Sequence, residues 1–195
     1  ALAARTGLPL FDVDEILTQA FGVRIADFFR EHGERTFRER ERVVIEQLIA
    51  VQPQGVIALG GGAVTSSRVR QLLLRSGFLV TLDASDDELA RRVGAGQGRP
   101  MLDAEAESGQ QTGSVRERLI ALRQARAAAY AECHMRVDTT QYEPDRIART
   151  IWEGASDAPV VVPMGTRTYR VYIGNHNRHT LAARVQDLGP LSSVL

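Results

Sequence analysis

The sequence predicts an α/β fold with a parallel sheet covered by helices on both faces, and three observations carry that expectation. Short apolar runs alternate with helical stretches to about residue 153, the order that builds a parallel sheet. Val56-Ile57-Ala58-Leu59 suits a buried strand and runs straight into Gly60-Gly61-Gly62. A helix start follows at Thr65-Ser66-Ser67. Three glycines in a row bury no side chain and cost backbone entropy. A chain tolerates them where a ligand approaches the backbone closely, or where N–H groups must stay free to donate. The carboxyl end of a strand in an open α/β sheet is also where ligands bind. Alone, a triple glycine reads better as a flexible strand-to-helix turn; its neighbours tip the balance.

Ala1-Leu2-Ala3-Ala4-Arg5-Thr6-Gly7 reads as the last turns of a helix closed by a glycine. Strand 8–11 follows, leading into Asp12 and Asp14, one residue apart. On an extended segment those carboxylates point the same way, and together they could hold a hydrated magnesium ion or orient a hydroxyl. Asp14 alone reads as the cap of a helix over 14–20. Two more helices are predicted over 25–32 and 34–51. Between Gly33 and Glu41 the charges are dense and read mostly as a solvated face with pairs such as Glu34 with Arg38.

Strand 55–59, helix 66–76, strand 78–82 and helix 85–93 come next. The stretch 94–112 is polar, rich in glycine, and holds Arg99-Pro100. A loop of that length without its own structure is either disordered or a working lid. Helix 114–132, strand 134–138 and helix 143–153 complete the alternation. Trp152 reads as part of the last helix's apolar face with Ile147 and Ile151. A linker is placed at 155–163, around Ser156-Asp157-Ala158-Pro159, within which Val160-Val161-Val162-Pro163 restarts an extended pattern. Thr168–Gly174 then alternates polar and apolar residues as a half-buried strand does.

A chain of 195 residues allows one domain of ordinary size plus an appendage. With 24 basic and 24 acidic residues it has no basic excess for nucleic acid. The single Cys133 forms no internal disulfide, which fits a reducing, cytoplasmic setting. No apolar run approaches the length of a membrane span. Cys133 and His134 read as structural, and His176 and His179 as surface residues.

Taken together, the motifs resemble those of the shikimate kinase family. They are Asp12-Val13-Asp14, Gly33-Glu34-Arg35-Thr36-Phe37-Arg38, Gly60-Gly61-Gly62, Arg99-Pro100-Met101-Leu102, and Arg126 with Tyr130. The resemblance runs to about residue 154. It implies a three-layer, parallel-sheet P-loop kinase fold of the nucleoside-monophosphate-kinase type, lacking its N-terminal strand and phosphate loop. It also implies transfer of the γ-phosphate of ATP to the 3-hydroxyl of shikimate, with Mg2+. Asp14 would hold the attacking hydroxyl and could take its proton, and Asp12 would hold magnesium through water. Arg38 and Arg126 would clamp the substrate carboxylate, and Gly60, Gly61 and Gly62 would meet the substrate through their backbone. Arg99 would reach the phosphates from the lid, and Arg92 and Pro144 would pack the adenine. One departure is Ala127-Ala128-Ala129 after Arg126, where the family usually has Pro-Leu-Tyr.

The family's phosphate motif, Gly-x-x-x-x-Gly-Lys-Ser/Thr, does not occur in this sequence. The expectation is that the chain begins just after that loop and is inactive without it. Tyr169-x-Val171-x-Ile173-Gly174 is similar to the opening of 3-dehydroquinate synthase. That implies a fused protein whose synthase part begins at 164–195, with NAD and a divalent metal serving only that part. The kinase domain would be monomeric, and any oligomer would form through the synthase. Two other readings are a gluconate-type P-loop kinase and a non-catalytic substrate-binding domain. The first would lack the Phe37-Arg38, triple-glycine and Arg126 set that suits a small carboxylate.

Overall fold

Two pairs of parallel strands form the centre of the computed structural model, which describes residues 1–51, 54–94, 114–156 and 158–171. β1 (Leu10–Asp12) pairs with β2 (Val56–Ala58), Leu10 opposite Val56. β3 (Val80–Asp83) pairs with β4 (Met135–Asp138), Val80 opposite Met135. Parallel neighbours need crossover connections, and helices supply them: α2 (Val13–Phe21) and α3 (Ile25–Val51) lie between β1 and β2. α4 (Ser67–Ser76) leads from β2 to β3. α5 (Asp86–Gly94) and α6 (Val115–Ala131) lie between β3 and β4. α1 (Leu2–Thr6) opens the chain and α7 (Pro144–Ala155) follows β4. The parallel α/β architecture is therefore as the sequence predicts. Neither β2 nor β3 has a second strand partner among the described residues.

The largest apolar cluster gathers Val13 and Leu17 of α2, Phe28, Phe37 and Ile45 of α3, and Val69 and Leu73 of α4. Phe21 stacks on Phe28 with ring centroids 3.8 Å apart, and Phe37 turns its edge to both. This packing fixes α2 and α3 against each other beneath the carboxyl ends of β1 and β2. Opposite the core, Arg42 pairs with Glu39 and Glu46, the solvated face that the charge pattern predicts.

Several expectations need correction. The extended segment stops at Asp12, so Asp12 and Asp14 do not alternate along a strand. Asp12, not Asp14, caps α2: its Oδ1 accepts from Asp14 N–H at 3.0 Å and Glu15 N–H at 3.3 Å. The helices predicted over 25–32 and 34–51 meet at Gly33, whose φ of 76° and ψ of 167° break α3 without a connecting loop. The segment placed as a linker at 155–163 overlaps two regular elements at Ala155 and Val160–Val162. α7 runs to Ala155, and β5 (Val160–Val162) pairs antiparallel with β6 (Tyr169–Val171). Trp152 is 49% exposed. The buried side of α7 runs through Ala148, with Ile147 and Ile151 beside it, and Trp152 falls at its margin.

Arg99 and most of the predicted loop 94–112 lie outside the described residues, as do Ile173, Gly174, His176 and His179. No helix among the described residues is long and apolar enough to cross a membrane.

Candidate active site

The glycine turn is built from its own backbone. Gly60 O accepts from Ala63 N–H at 3.0 Å, and Gly62 O accepts from Thr65 N–H at 3.1 Å. Thr65 Oγ1 also donates to Gly62 O, at 2.6 Å. Ser66 then caps α4 by accepting from Val69 N–H at 3.4 Å. None of the three glycines has a positive φ, so conformational freedom is not what the turn requires. It requires the absence of side chains. A Cβ on Gly60 would stand 3.0 Å from both Asp14 Oδ1 and Glu41 Oε1. One on Gly61 would stand 3.1 Å from the Tyr130 hydroxyl, and one on Gly62 would overlap the Arg38 guanidinium. The turn is the surface on which Asp14, Arg38, Arg126, Glu41 and Tyr130 converge.

Asp14 sits in the first turn of α2 and keeps contact with solvent. Crowding by the protein raises its carboxyl pKa, the negative charge of Asp12 adds to this, and Arg38 opposes it. Glu41 is 2% exposed. Burial raises its pKa against the opposing hydrogen bond and charge of Arg38, and Asp14 raises it further. Its Oε2 accepts from Arg38 Nη1 at 2.7 Å, while Oε1 has no hydrogen-bond partner. An unsatisfied buried acceptor is costly, and this one faces the same spot at Gly60 as Asp14. A ligand hydroxyl or a water placed there would relieve it.

Arg38 is held on three sides. Its Nε donates to Glu34 at 3.3 Å, and its guanidinium lies 5.2 Å from the Phe37 ring centroid and 5.8 Å from that of Phe29. Arg126 comes from α6, whose start is set by a capping box between Ser114 and Glu117. Its Nη1 donates to Gly61 O at 3.2 Å, and the Tyr130 hydroxyl, one turn further on, donates to the same oxygen at 2.5 Å. Helix α6 continues unbroken through Ala127-Ala128-Ala129, so the departure from the family pattern leaves the spacing of Arg126 and Tyr130 intact. Two guanidinium groups on rigid elements beside an open turn suit a planar carboxylate, which they can grip bidentately.

Arg92 and Pro144 belong to the β3–β4 side of the fold. Arg92 donates to Glu88 at 2.7 Å and to the Thr139 hydroxyl and carbonyl at 2.9 and 2.8 Å, which ties α5 to the end of β4. Pro144 occupies the first turn of α7 after the Glu143 cap, where its missing N–H costs nothing. Asp12 spends Oδ1 on the α2 cap, and its Oδ2 makes no hydrogen bond among the described residues. Among the described residues no group of three metal-ligating side chains is found. A single available carboxylate oxygen fits a magnesium ion held mainly by waters and substrate phosphates rather than by a protein cage.

Glu41 and Tyr130 are the site members that sequence reasoning underrated. Glu41 was absorbed into a charged helix face, although its place three residues after Arg38 is the spacing of a helical ion pair. Tyr130 was counted as a motif residue without a contact.

Fold and site together describe a parallel α/β protein whose glycine turn gathers two arginines and a carboxylate, a class of site that suits a small anionic substrate. The family model for shikimate kinase matches residues 1–155. A shikimate kinase of Geobacter sulfurreducens is 36% identical over 138 residues, which is 71% of this chain and 71% of that protein. One from Symbiobacterium thermophilum is 37% identical over 156 residues, 78% of this chain and 84% of that protein. A solved shikimate kinase from Acinetobacter baumannii, in complex with shikimate, matches with a TM-score of 0.69 at 28% identity. The match covers 78% of this chain and 80% of that one. The chain belongs to the shikimate kinase family.

Proposed function

We propose that these residues form the acceptor side of a shikimate kinase, which transfers the γ-phosphoryl group of ATP to the 3-hydroxyl of shikimate. The observation that carries this reading is the convergence of Asp14, Arg38 and Arg126 on Gly60-Gly61-Gly62. Arg38 and Arg126 take the substrate carboxylate, which orients the ring. Asp14, with its raised pKa, accepts a hydrogen bond from the attacking hydroxyl and is suited to take its proton. Gly60, Gly61 and Gly62 let the substrate approach the backbone where any Cβ would intrude. Arg92 and Pro144 flank the adenine, and Arg99 reaches the transferring phosphoryl group from its loop. Asp12 holds magnesium through water, and the ion, when bound, neutralises phosphate charge.

Transfer also needs a phosphate-cradling loop, and no such motif lies within these 195 residues. Calorimetric titration of the purified chain with shikimate and with gluconate tests the acceptor site. Shikimate should bind and gluconate should not, and no ADP should form on adding MgATP. Binding of gluconate alone overturns the reading.

Residues 164–195 are read as the opening of a 3-dehydroquinate synthase, supported by Tyr169-x-Val171-x-Ile173-Gly174. On that reading, NAD and a divalent metal serve only the synthase. Continuing the gene sequence past Leu195 and finding no synthase reading frame overturns it. The lone cysteine supports a cytoplasmic setting. The kinase domain is taken to be monomeric, which sedimentation of the chain tests.

A further inference from the structure

Two sets of bonds tie the glycine turn to helix α6. The direct set is Arg126 and Tyr130 on Gly61 O. The second passes through Arg70 of α4, whose Nη1 donates to Val64 O at 2.7 Å and to Thr65 O at 3.1 Å. Arg70 Nε in turn donates to Glu132 Oε2 at 2.7 Å. Arg70 and Glu132 are a mostly buried pair, with side chains 12% and 10% exposed. The other oxygen of Glu132 accepts from Gly165 N–H at 3.0 Å, in the turn of the β5–β6 hairpin. The same hairpin sends Arg170 to His134 O at 2.8 Å, to Ala131 O at 3.4 Å and to Cys133 Sγ at 3.3 Å. The hairpin thus grips the junction between α6 and β4, and Glu132 passes that grip to the far end of the glycine turn.

We propose that Glu132 is a positioning residue for the acceptor site and that the C-terminal hairpin is its brace. Both oxygens of Glu132 are engaged, one by the hairpin and one by Arg70, so loosening the hairpin frees the carboxylate and, through Arg70, the carbonyls of Val64 and Thr65. The turn then holds its Gly61 end and loses its Thr65 end. The acceptor site is in this way coupled to a part of the chain beyond the residues that match the kinase family model, 1–155. Its bearing on shikimate rests on the function proposed above; the bracing itself does not.

The test is amide hydrogen exchange on the full 195-residue chain. The reporters are Ala63 and Thr65, whose N–H groups close the turn, and Leu89 in α5 serves as control. Glu132→Gln should speed exchange at Ala63 and Thr65 by about tenfold, and Arg170→Ala, which bears on Glu132 only by loosening the hairpin, by about threefold. Leu89 should be unaffected. Shikimate affinity of both variants should fall by several-fold. Equal acceleration at Leu89 means that Glu132 only stabilises the fold, and this overturns the proposal, as does unchanged exchange at Ala63 and Thr65. If the parent chain binds no shikimate while the exchange pattern holds, the substrate reading fails and the brace stands.

Discussion

Glu41 and Asp14 place two carboxylates at one turn, and each has its pKa raised chiefly by burial. For Glu41 the folded pKa lies above the reference value of 4.5. The native state therefore holds a proton that the unfolded chain has lost, and stability falls as pH rises through that interval. We expect the melting temperature of the parent to drop relative to Glu41→Gln as pH rises from about 4.5. Scanning calorimetry at several pH values checks this, and parallel curves count against it. The two clamp arginines should differ as well. Each should lose about 2–5 kcal/mol of shikimate binding on truncation, but only Arg38→Ala strands a buried carboxylate, so only it should also melt early. In Arg126→Ala, Tyr130 still satisfies Gly61 O. Asp14, Arg38, Arg126 and the glycines are singled out in the sequence by the motifs that resemble the shikimate kinase family, and in the structure they meet at one turn. Glu41 is not singled out in this way, because a helix's charge pattern does not say which of its charges a neighbouring turn will cover.

Among the elements, Gly33 is the most constrained position. A φ of 76° with ψ of 167° is accessible almost only to glycine, and a Cβ there would meet nothing within 4 Å. The cost of Gly33→Ala is therefore one of backbone alone, about 1–3 kcal/mol. Urea denaturation should show that loss, with shikimate affinity changed far less than by Arg38→Ala; a neutral effect on stability would mean that the break in α3 is not required. Helix and strand types followed from periodicity, with ends displaced by a residue or two. The cap of α2 was misplaced because Asp12 and Asp14 are both good cap residues, and only backbone geometry selects between them. Val160-Val161-Val162 reads as extended chain from its sequence, but only its pairing with Tyr169–Val171 makes it the strand β5.

At the scale of the molecule, alternation of elements sufficed for the architecture, whereas which strands touch depends on contacts far apart in the chain. The parallel strands occur as two separate pairs among the described residues. Among the described residues each of these four strands has a single strand partner and so one unpaired edge, and Leu82 on β3 is 60% exposed. Open strand edges with apolar side chains template association. With the chain taken to be a monomer in dilute solution, Leu82→Lys should raise the temperature at which it aggregates on heating. Light scattering during a thermal ramp checks this, and an equal onset in the two chains counts against it.

The bond from Arg126 to Gly61 O has a kinetic consequence. A carbonyl holds the guanidinium in place without cancelling its charge, whereas Glu41 is positioned to compensate much of the charge on Arg38 once ionised. Among the described residues Arg126 has no carboxylate partner within ion-pair distance, and Glu41 meets its charge only at longer range, so much of its attraction is left for an approaching anion. On the proposed function, encounter with a carboxylate substrate is then steered from a distance and slows as ionic strength rises, while the final grip on the carboxylate would be shared by both arginines.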